Sequence, residues 1–253
     1  GLSHAQLVPQ GDTPLNDAQL GQWQPLEAAR KAGAPIAYLL GHKDFYQHRF
    51  HVSPAVLIPR EDTELLVEAA LSRIPEDARQ QIADLGTGSG AIALSIAAAR
   101  PNSQIWAVDI SSDALAIAQY NAQQIGAPNV QFYVSHWFEA IASQSFDLIV
   151  SNPPYIDAQD PHLQQGDLRF EPQTALTDFA DGLACLQHIT QQAPAHLNPN
   201  GWLLLEHGYQ QGTACRDLLA QAGFFHIQTL QDLAGHDRVS LGQWCKKNLP
   251  ADN

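Results

Sequence analysis

Asn152-Pro153-Pro154-Tyr155 directly follows the apolar run Phe146-Asp147-Leu148-Ile149-Val150, and these residue types suit the capture of a planar amide. Each proline fixes its own φ and lacks a backbone N–H, so the turn presents carbonyl acceptors, and the Asn152 carboxamide adds another. A donor-rich NH2 group fits such a corner. The Tyr155 ring offers a flat face, and the turn stands where a buried strand ends, the usual ligand crevice of an open α/β sheet. The alternative is an ordinary Pro-rich turn that closes a strand.

A second pattern, Asp84-Leu85-Gly86-Thr87-Gly88-Ser89-Gly90-Ala91, joins a predicted strand to a predicted helix. Its glycines let a ligand lie against the backbone where a β-carbon would block it. Nineteen residues past Gly90, Asp109 closes the next strand, where a carboxylate can accept from both ribose hydroxyls. Together they indicate an adenosine-type cofactor. A dinucleotide fits less well, because the third glycine comes one residue early for its fingerprint and Asp84 sets a negative charge where a pyrophosphate gains nothing from it. A sulfonium cation suits the loop better. Asp84 itself reads either as a cofactor contact or as a carboxylate satisfied by neighbouring backbone N–H groups.

The elements that must hold these loops follow from periodicity. Between Gly1 and Gly33 the sequence mixes Gly, Pro and Gln with two weak helical stretches, Asn16 to Gln22 and Leu26 to Ala32. Phe45 to Val52 and Ala55 to Ile58, separated by Ser53-Pro54, read as two short strands of a hairpin. Asp62 or Thr63 can cap a helix running through Ser72. From Gln81 onward, short strands alternate with amphipathic helices: Ile82 to Leu85, Ile105 to Val108, Val130 to Val134, Phe146 to Val150 and Trp202 to Leu205, with Ala91 to Ala99, Asp113 to Ile125, Asp181 to Leu197 and Thr213 to Ala222 between and after them. That alternation means an α/β fold. Ile227 to Leu230 and Val239 to Trp244 follow without an intervening helix, so the sheet ends on an antiparallel pair.

Composition narrows the function. The 253 residues are 45% apolar and 15% charged, enough for one substantial core and a small appendage. A formal charge of −13, from 13 basic and 26 acidic residues, disfavours nucleic acid as a partner. No apolar run approaches a membrane span and the amino end lacks a secretory pattern, so a cytoplasmic protein is expected. Cys185, Cys215 and Cys245 form no CxxC pair, and the 11 histidines show no metal-ligating spacing, so neither a disulfide framework nor a metal site is expected. The chain holds no methionine, even at position 1, which suggests that this sequence is not the whole translated product.

The joint order of GTGSGA, Asp109 and NPPY resembles the amino-methyltransferases that use S-adenosyl-L-methionine. Longer stretches narrow the likeness: Pro35 to Gly41, Ser53-Pro54 through Leu57-Ile58-Pro59-Arg60, Phe170-Glu171-Pro172 with Thr174-Ala175-Leu176, Leu204 to Gly208, and Asp237-Arg238-Val239. With these the chain resembles, from Pro35 to Trp244, the protein-(glutamine-N5) methyltransferases of the HemK/PrmC family, whose substrates are peptide chain release factors. The resemblance implies a seven-stranded Rossmann-like class I methyltransferase sheet over 61–253, a β-hairpin linker over 42–60 and an incomplete helical, substrate-docking segment over 1–41. It implies a monomer that binds S-adenosyl-L-methionine and leaves S-adenosyl-L-homocysteine. By carry-over, Gly86, Thr87, Gly88, Ser89 and Gly90 cradle the cofactor, Asp109 holds its ribose and Trp137 lies by the adenine, with Asn152 close to the reacting end. Asn152, Pro153, Pro154 and Tyr155 receive the substrate glutamine, and Asn152, Pro153 and Tyr155 carry the catalysis.

Two departures stand out. His136 precedes Trp137 where the family commonly has an acidic residue, and the stretch before Gly41 is shorter than the family's helical domain. Glu171, Glu206 and Arg238 read as residues that fix loops through charge-assisted hydrogen bonds rather than as a catalytic cluster. The alternatives are a methyltransferase acting on the exocyclic amine of adenine, a nicotinamide-dependent dehydrogenase, and a binding protein without chemistry.

Overall fold

Buried, nearly continuous apolar strands flanked by amphipathic helices assemble in the computed structural model, which describes residues 13–245, into a helix-covered sheet. The expected helical segment's first 12 residues lie outside the described residues. Asn16 opens helix α1 (Asp17–Lys31) with a capping box, its side chain accepting from Gln19 N while Gln19 answers on the Asn16 N–H. The two stretches expected here are therefore one helix. Pro25 forfeits one backbone bond without ending it, because α1 buries no residue and its freed carbonyl meets solvent. A short helix α2 (Ile36–Leu40) stops at Gly41, which takes the left-handed conformation.

The hairpin lies earlier than its sequence suggests. Strand β1 (His42–Phe45) pairs antiparallel with β2 (His48–His51), and Ala55 to Ile58 is not a strand. The turn falls at Tyr46, held at φ 53 while its N–H donates to Glu64 Oε1. Phe45 and Phe50 are buried on one side of this ribbon with ring centroids 5.9 Å apart.

Seven strands form the main sheet: β3 (Gln81–Leu85), β4 (Gln104–Asp109), β5 (Val130–Val134), β6 (Phe146–Ser151), β7 (Leu197–Glu206), β8 (Phe225–Gln231) and β9 (Asp237–Gln243). Their order is β5-β4-β3-β6-β7-β9-β8, parallel except that β9 runs antiparallel to both neighbours. This is the expected α/β, Rossmann-like methyltransferase sheet. Helices α3 (Glu64–Leu71), α4 (Ala91–Ala99) and α5 (Ser112–Ile125) cover one face, and α6 (Ala184–His196) and α7 (Gly212–Gln221) the other.

The pleat sorts side chains between those faces. Ile82, Leu148, Val150 and Leu204 point to the α3 and α4 side, while Ala83, Leu85, Ile149, Leu203 and Leu205 point to the α6 and α7 side. All are essentially without solvent exposure, so truncating Leu148 or Ile149 to alanine costs about 3 kcal/mol. Strand order reverses between β3 and β6, since the chain runs outward from β3 to β5 and then returns to the other side. Ligands of open α/β sheets bind at such a reversal, beyond the carboxyl ends of the strands.

Candidate active site

Register alone brings the two sequence patterns together. Asp84 pairs with Val150 and Leu85 with Ser151 across β3 and β6, and Ser151 pairs with Leu205 across β6 and β7. Extending this register by one residue sets Gly86, Asn152 and Glu206 in a row over three strands, roughly 5 Å between neighbours. Ser151 Oγ donates to the Leu85 carbonyl at 2.6 Å and locks the row in place. The glycine loop and the proline corner therefore leave adjacent strands at the same level and on the same edge.

Within the loop, backbone and side chains divide the work. Gly86 and Gly88 have φ 75 and 56, and a Cβ built on Gly88 meets nothing within 4 Å. A Cβ on Gly86 would lie 3.8 Å from the Trp137 ring. Gly90 is different: a Cβ there would come within 2.9 Å of Leu94 Cδ1 and 3.2 Å of Ala118 Cβ, so this glycine serves helix packing. Thr87 and Ser89 are buried, with the Thr87 hydroxyl donating to Asp84 Oδ2 at 2.7 Å and the Ser89 carbonyl accepting from Asn121 at 2.9 Å. The Thr87 hydroxyl and the Ser89 carbonyl are thus taken up by the fold.

Two carboxylates lie under this loop. Asp84 is fully buried, accepts from Thr87 and from Ala93 N through Oδ2, and has no partner on Oδ1; burial pushes its pKa up to about 7. Both readings of Asp84 survive: one oxygen is satisfied by the loop and the other is free. Asp109 accepts from Gly88 N at 2.8 Å and Ser111 N at 2.9 Å, and burial raises its pKa against the pull of these N–H groups. No basic residue occurs between positions 84 and 91, so the floor of the cradle is acidic and unsuited to phosphate.

Trp137 follows β5 with φ 52, a left-handed conformation uncommon for a bulky residue. Ser135 Oγ holds it by donating to the Trp137 carbonyl at 2.8 Å, and the half-buried indole packs against the α6 face. His136 turns outward, with Nδ1 3.4 Å from Glu139 and its ring 5.6 Å from that of His188.

The proline corner is tied to a network that the sequence did not announce. Asn152 Nδ2 donates to Thr63 Oγ1 at 3.2 Å, and nearby Glu206 keeps one buried oxygen, Oε2, without a partner. Tyr155 donates its hydroxyl to Glu206 Oε1 at 3.3 Å, and burial with this carboxylate nearby drives the phenol pKa well upward. Glu206 is itself fully buried; desolvation pushes its pKa up to about 7 against the opposing effects of Thr63, Arg238 and Tyr155. Arg238 bridges Asp62 at 3.2 Å and Asp232 at 3.1 Å. Glu171, also buried, accepts from Arg60 and from Ile58 N. Thr63 was legible only as a helix cap; its burial just before α3, with no capping bond, is visible only once the chain is folded.

Asn152, Pro153 and Tyr155 line a small cavity of about 80 Å³ whose other wall includes Leu57, Leu168 and Leu176. A larger cleft of about 800 Å³ reaches Tyr155 from Ile36 and Leu40 past Lys43 and Arg60. An acidic, glycine-floored cradle thus adjoins an acceptor-bearing corner approached from outside. Among the described residues, no group of three or more metal-ligating side chains converges, and no helix is long and apolar enough to cross a membrane.

Residues 61–167 match the signature described as the methyltransferase small domain. A release factor glutamine methyltransferase from Xylella fastidiosa is 51% identical over 239 residues, spanning 94% of this chain and 87% of its own. One from Escherichia coli is 50% identical over 234 residues, spanning 92% and 84%. Among solved structures, a 16S rRNA methyltransferase from T. thermophilus in complex with AdoMet and guanosine superposes with a TM-score of 0.58 at 24% identity, covering 80% of this chain and 49% of that one, a likeness of fold.

Proposed function

Because the chain belongs to the release factor glutamine methyltransferases, we propose that it transfers the methyl group of S-adenosyl-L-methionine to the side-chain amide nitrogen, N5, of a glutamine in a peptide chain release factor. S-Adenosyl-L-homocysteine is the second product. The observation that supports this reading is the register that aligns Leu85, Ser151 and Leu205, whose extension by one residue brings the glycine loop beside the proline corner.

The residues fit the cofactor. The space over Gly88 is open, the Asp84 Oδ1 atom is buried without a partner, and two carboxylates lie where a positive charge would be welcome. Gly86 and Gly88 would hold it through their backbone, Asp109 through the ribose, and Trp137 along the adenine. Thr87, Ser89 and Gly90 shape the loop. Bound there, the cofactor supplies an electrophilic methyl carbon on a sulfonium sulfur.

An amide nitrogen is a poor nucleophile because its lone pair is shared with the carbonyl, so orientation carries most of the catalysis. Asn152 Oδ1 and the Pro153 carbonyl accept hydrogen bonds from the two substrate amide N–H groups, which fixes the nitrogen and favours the positive charge that develops on it, and the alkylated nitrogen then gives up one proton through Asn152 or to water. Pro154 keeps the corner rigid, and the Tyr155 ring lies against the amide plane while its hydroxyl is held by Glu206. The larger cleft admits the loop that bears the glutamine, with residues 1–41 forming a docking segment, 42–60 a linker and 61–253 the methyltransferase domain. The enzyme works as a monomer in the cytoplasm.

The test incubates the protein with radiolabelled S-adenosyl-L-methionine and, separately, a release factor, the same factor with its glutamine replaced, and duplex DNA. Label on the intact factor alone supports the reading. Label on DNA, or on the glutamine-replaced factor to the same extent, overturns it in favour of an exocyclic-amine or non-specific transferase.

A further inference from the structure

We propose that Asn121 is a positioning residue that couples the two binding sites, holding the glycine loop and the hairpin wall of the larger cleft in one fixed relation, an inference that rests on the cofactor and release factor sites assigned above. Asn121 lies on α5 and is 1% exposed. Its Nδ2 donates to the Ser89 carbonyl at 2.9 Å and to the His51 carbonyl at 3.1 Å, while Oδ1 accepts from His51 N at 2.7 Å. One buried carboxamide therefore ties together main-chain groups 32 and 70 positions away from it in sequence.

At the hairpin end, His51 pairs with His42, and the Val52 N–H donates to the Gly41 carbonyl at 3.1 Å, so the N–H and C=O of His51 point away from β1. Asn121 takes both, standing where a third strand would. The rings of His51 and Tyr120 meet edge-on at 5.3 Å, and Val52 and Val56 are buried with Ala114 and Ile117 of the same helix. The hairpin residues that wall the cleft, His42, Lys43 and Asp44, are thereby anchored to α5 through the strand pair.

At the loop end, the peptide between Ser89 and Gly90 is held on both sides, its carbonyl by Asn121 and its N–H by the Thr87 carbonyl at 2.8 Å. Gly88 and Gly90 flank it with positive φ, and a peptide beside glycines turns over at little steric cost. The donor from Asn121 opposes that turn. Ala118, on the same helix, lies close enough to Gly90 that a Cβ there would come within 3.2 Å. A cofactor that orders the loop and a substrate that loads the hairpin thus draw on the same side chain, and such a coupling acts equally in both directions.

The experiment measures the dissociation constant of S-adenosyl-L-homocysteine with and without saturating release factor, in the wild type, Asn121→Asp and Leu219→Ala. Ionised aspartate keeps an acceptor for His51 N–H and donates to neither carbonyl. Leu219→Ala hollows the core on the α7 side and touches neither site. Release factor should tighten product binding about fivefold or more in the wild type and in Leu219→Ala, and by less than about twofold in Asn121→Asp. Amide hydrogen exchange of the wild type supplies a second measurement that needs no variant: product alone should slow exchange at His51 N–H as well as at Gly90 N–H. Undiminished coupling in Asn121→Asp, its equal loss in Leu219→Ala, a wild type without coupling, or unchanged exchange at His51 overturns the role given to Asn121. A wild type that binds no S-adenosyl-L-homocysteine, or no release factor, sinks the functional reading itself and this inference with it.

Discussion

Gly88 and Gly90 sit two residues apart in one loop, and the structure assigns them opposite consequences when a methyl group is added. Both have positive φ, 56 and 83, so alanine at either position carries about 1–2 kcal/mol of backbone strain. Beyond that the two sites diverge. At Gly88 the new Cβ meets no atom within 4 Å, so the folded protein tolerates it and the loss of stability stays near the strain alone. That same methyl group projects into the space proposed for the cofactor, and S-adenosyl-L-homocysteine affinity should fall about tenfold or more, roughly 1.4 kcal/mol. At Gly90 the Cβ would press on Leu94 Cδ1 at 2.9 Å and Ala118 Cβ at 3.2 Å. Overpacking adds about 1–3 kcal/mol to the strain, giving a loss of about 3 kcal/mol in unfolding free energy. The protein that remains folded should bind product nearly as well as wild type. Urea denaturation and isothermal titration with S-adenosyl-L-homocysteine, run on Gly88→Ala and Gly90→Ala side by side, read both quantities. Wild-type affinity in Gly88→Ala, or a greater stability loss at Gly88 than at Gly90, would refute the division between a ligand-facing and a packing glycine.

Asn152→Ala should lower kcat by about a hundredfold, the scale for one preorganised polar group, while product affinity stays close to wild type; an equal fall in both contradicts the role given to the corner. Asp84 has a folded-state pKa of about 7, above its ordinary value near 3.8, so the fold holds its proton more tightly than the unfolded chain, and stability is lost as pH rises from about 4 through 7. Asp84→Asn removes that penalty while its oxygen can still accept from Thr87 and Ala93. The ligand-free variant should gain on the order of 1–2 kcal/mol at pH 8 and distinctly less at pH 5, with weaker cofactor binding; thermal melts showing an equal gain at both pH values would exclude this cause. Glu171→Ala strips Ile58 N–H and Arg60 of their acceptor, and should cost about 2 kcal/mol and raise KM for the release factor more than it lowers kcat; unchanged denaturant midpoints would show the clamp to be idle.

The sheet was legible because its strands are buried on both faces and therefore apolar throughout. Val130–Val134 and Ala91–Ala99 have the bounds their sequence indicates, the latter set by Gly90 before it and Arg100 after it. The hairpin misled because its strands carry His42, Lys43, Asp44 and Arg49 and bury only Phe45 and Phe50, and because Tyr46 turns the chain where glycine or asparagine would have signalled a turn. Helix α1 shows in the sequence as two weak stretches with Pro25 between them, since proline normally ends a helix and nothing local says that an unburied one tolerates it. The glycine loop, Asp109 and the proline corner could each be read alone, since each is a short run at one strand end. What joins them could not. The Asn152–Thr63 bond spans 89 positions and the Arg60–Glu171 pair 111, so these partnerships exist only after the sheet has set its register.

That register explains why the polar groups of the site tolerate their burial. Asp84, Asn152 and Glu206 share the parity of Ile82, Val150 and Leu204, so the pleat aims all three toward the face that carries α3 and α4. Asn152 and Glu206 come right after the last apolar residue of that parity, at the edge where ladder bonding gives way to loops. Thr63, the partner of Asn152, and Ala93, whose N–H donates to Asp84, come from the helix beginnings laid over the same edge. A slip of one residue in β3, β6 or β7 would send that strand's polar group to the α6 face, among Leu186, Ile189 and Leu203, with no donor to meet it. The 2.6 Å bond from Ser151 to the Leu85 carbonyl joins two neighbouring strands one residue before Gly86 and Asn152 diverge into their loops. The apolar alternation and this single hydroxyl therefore act together: the first makes any other register costly, and the second ties the cofactor loop to the corner that presents the amide acceptor.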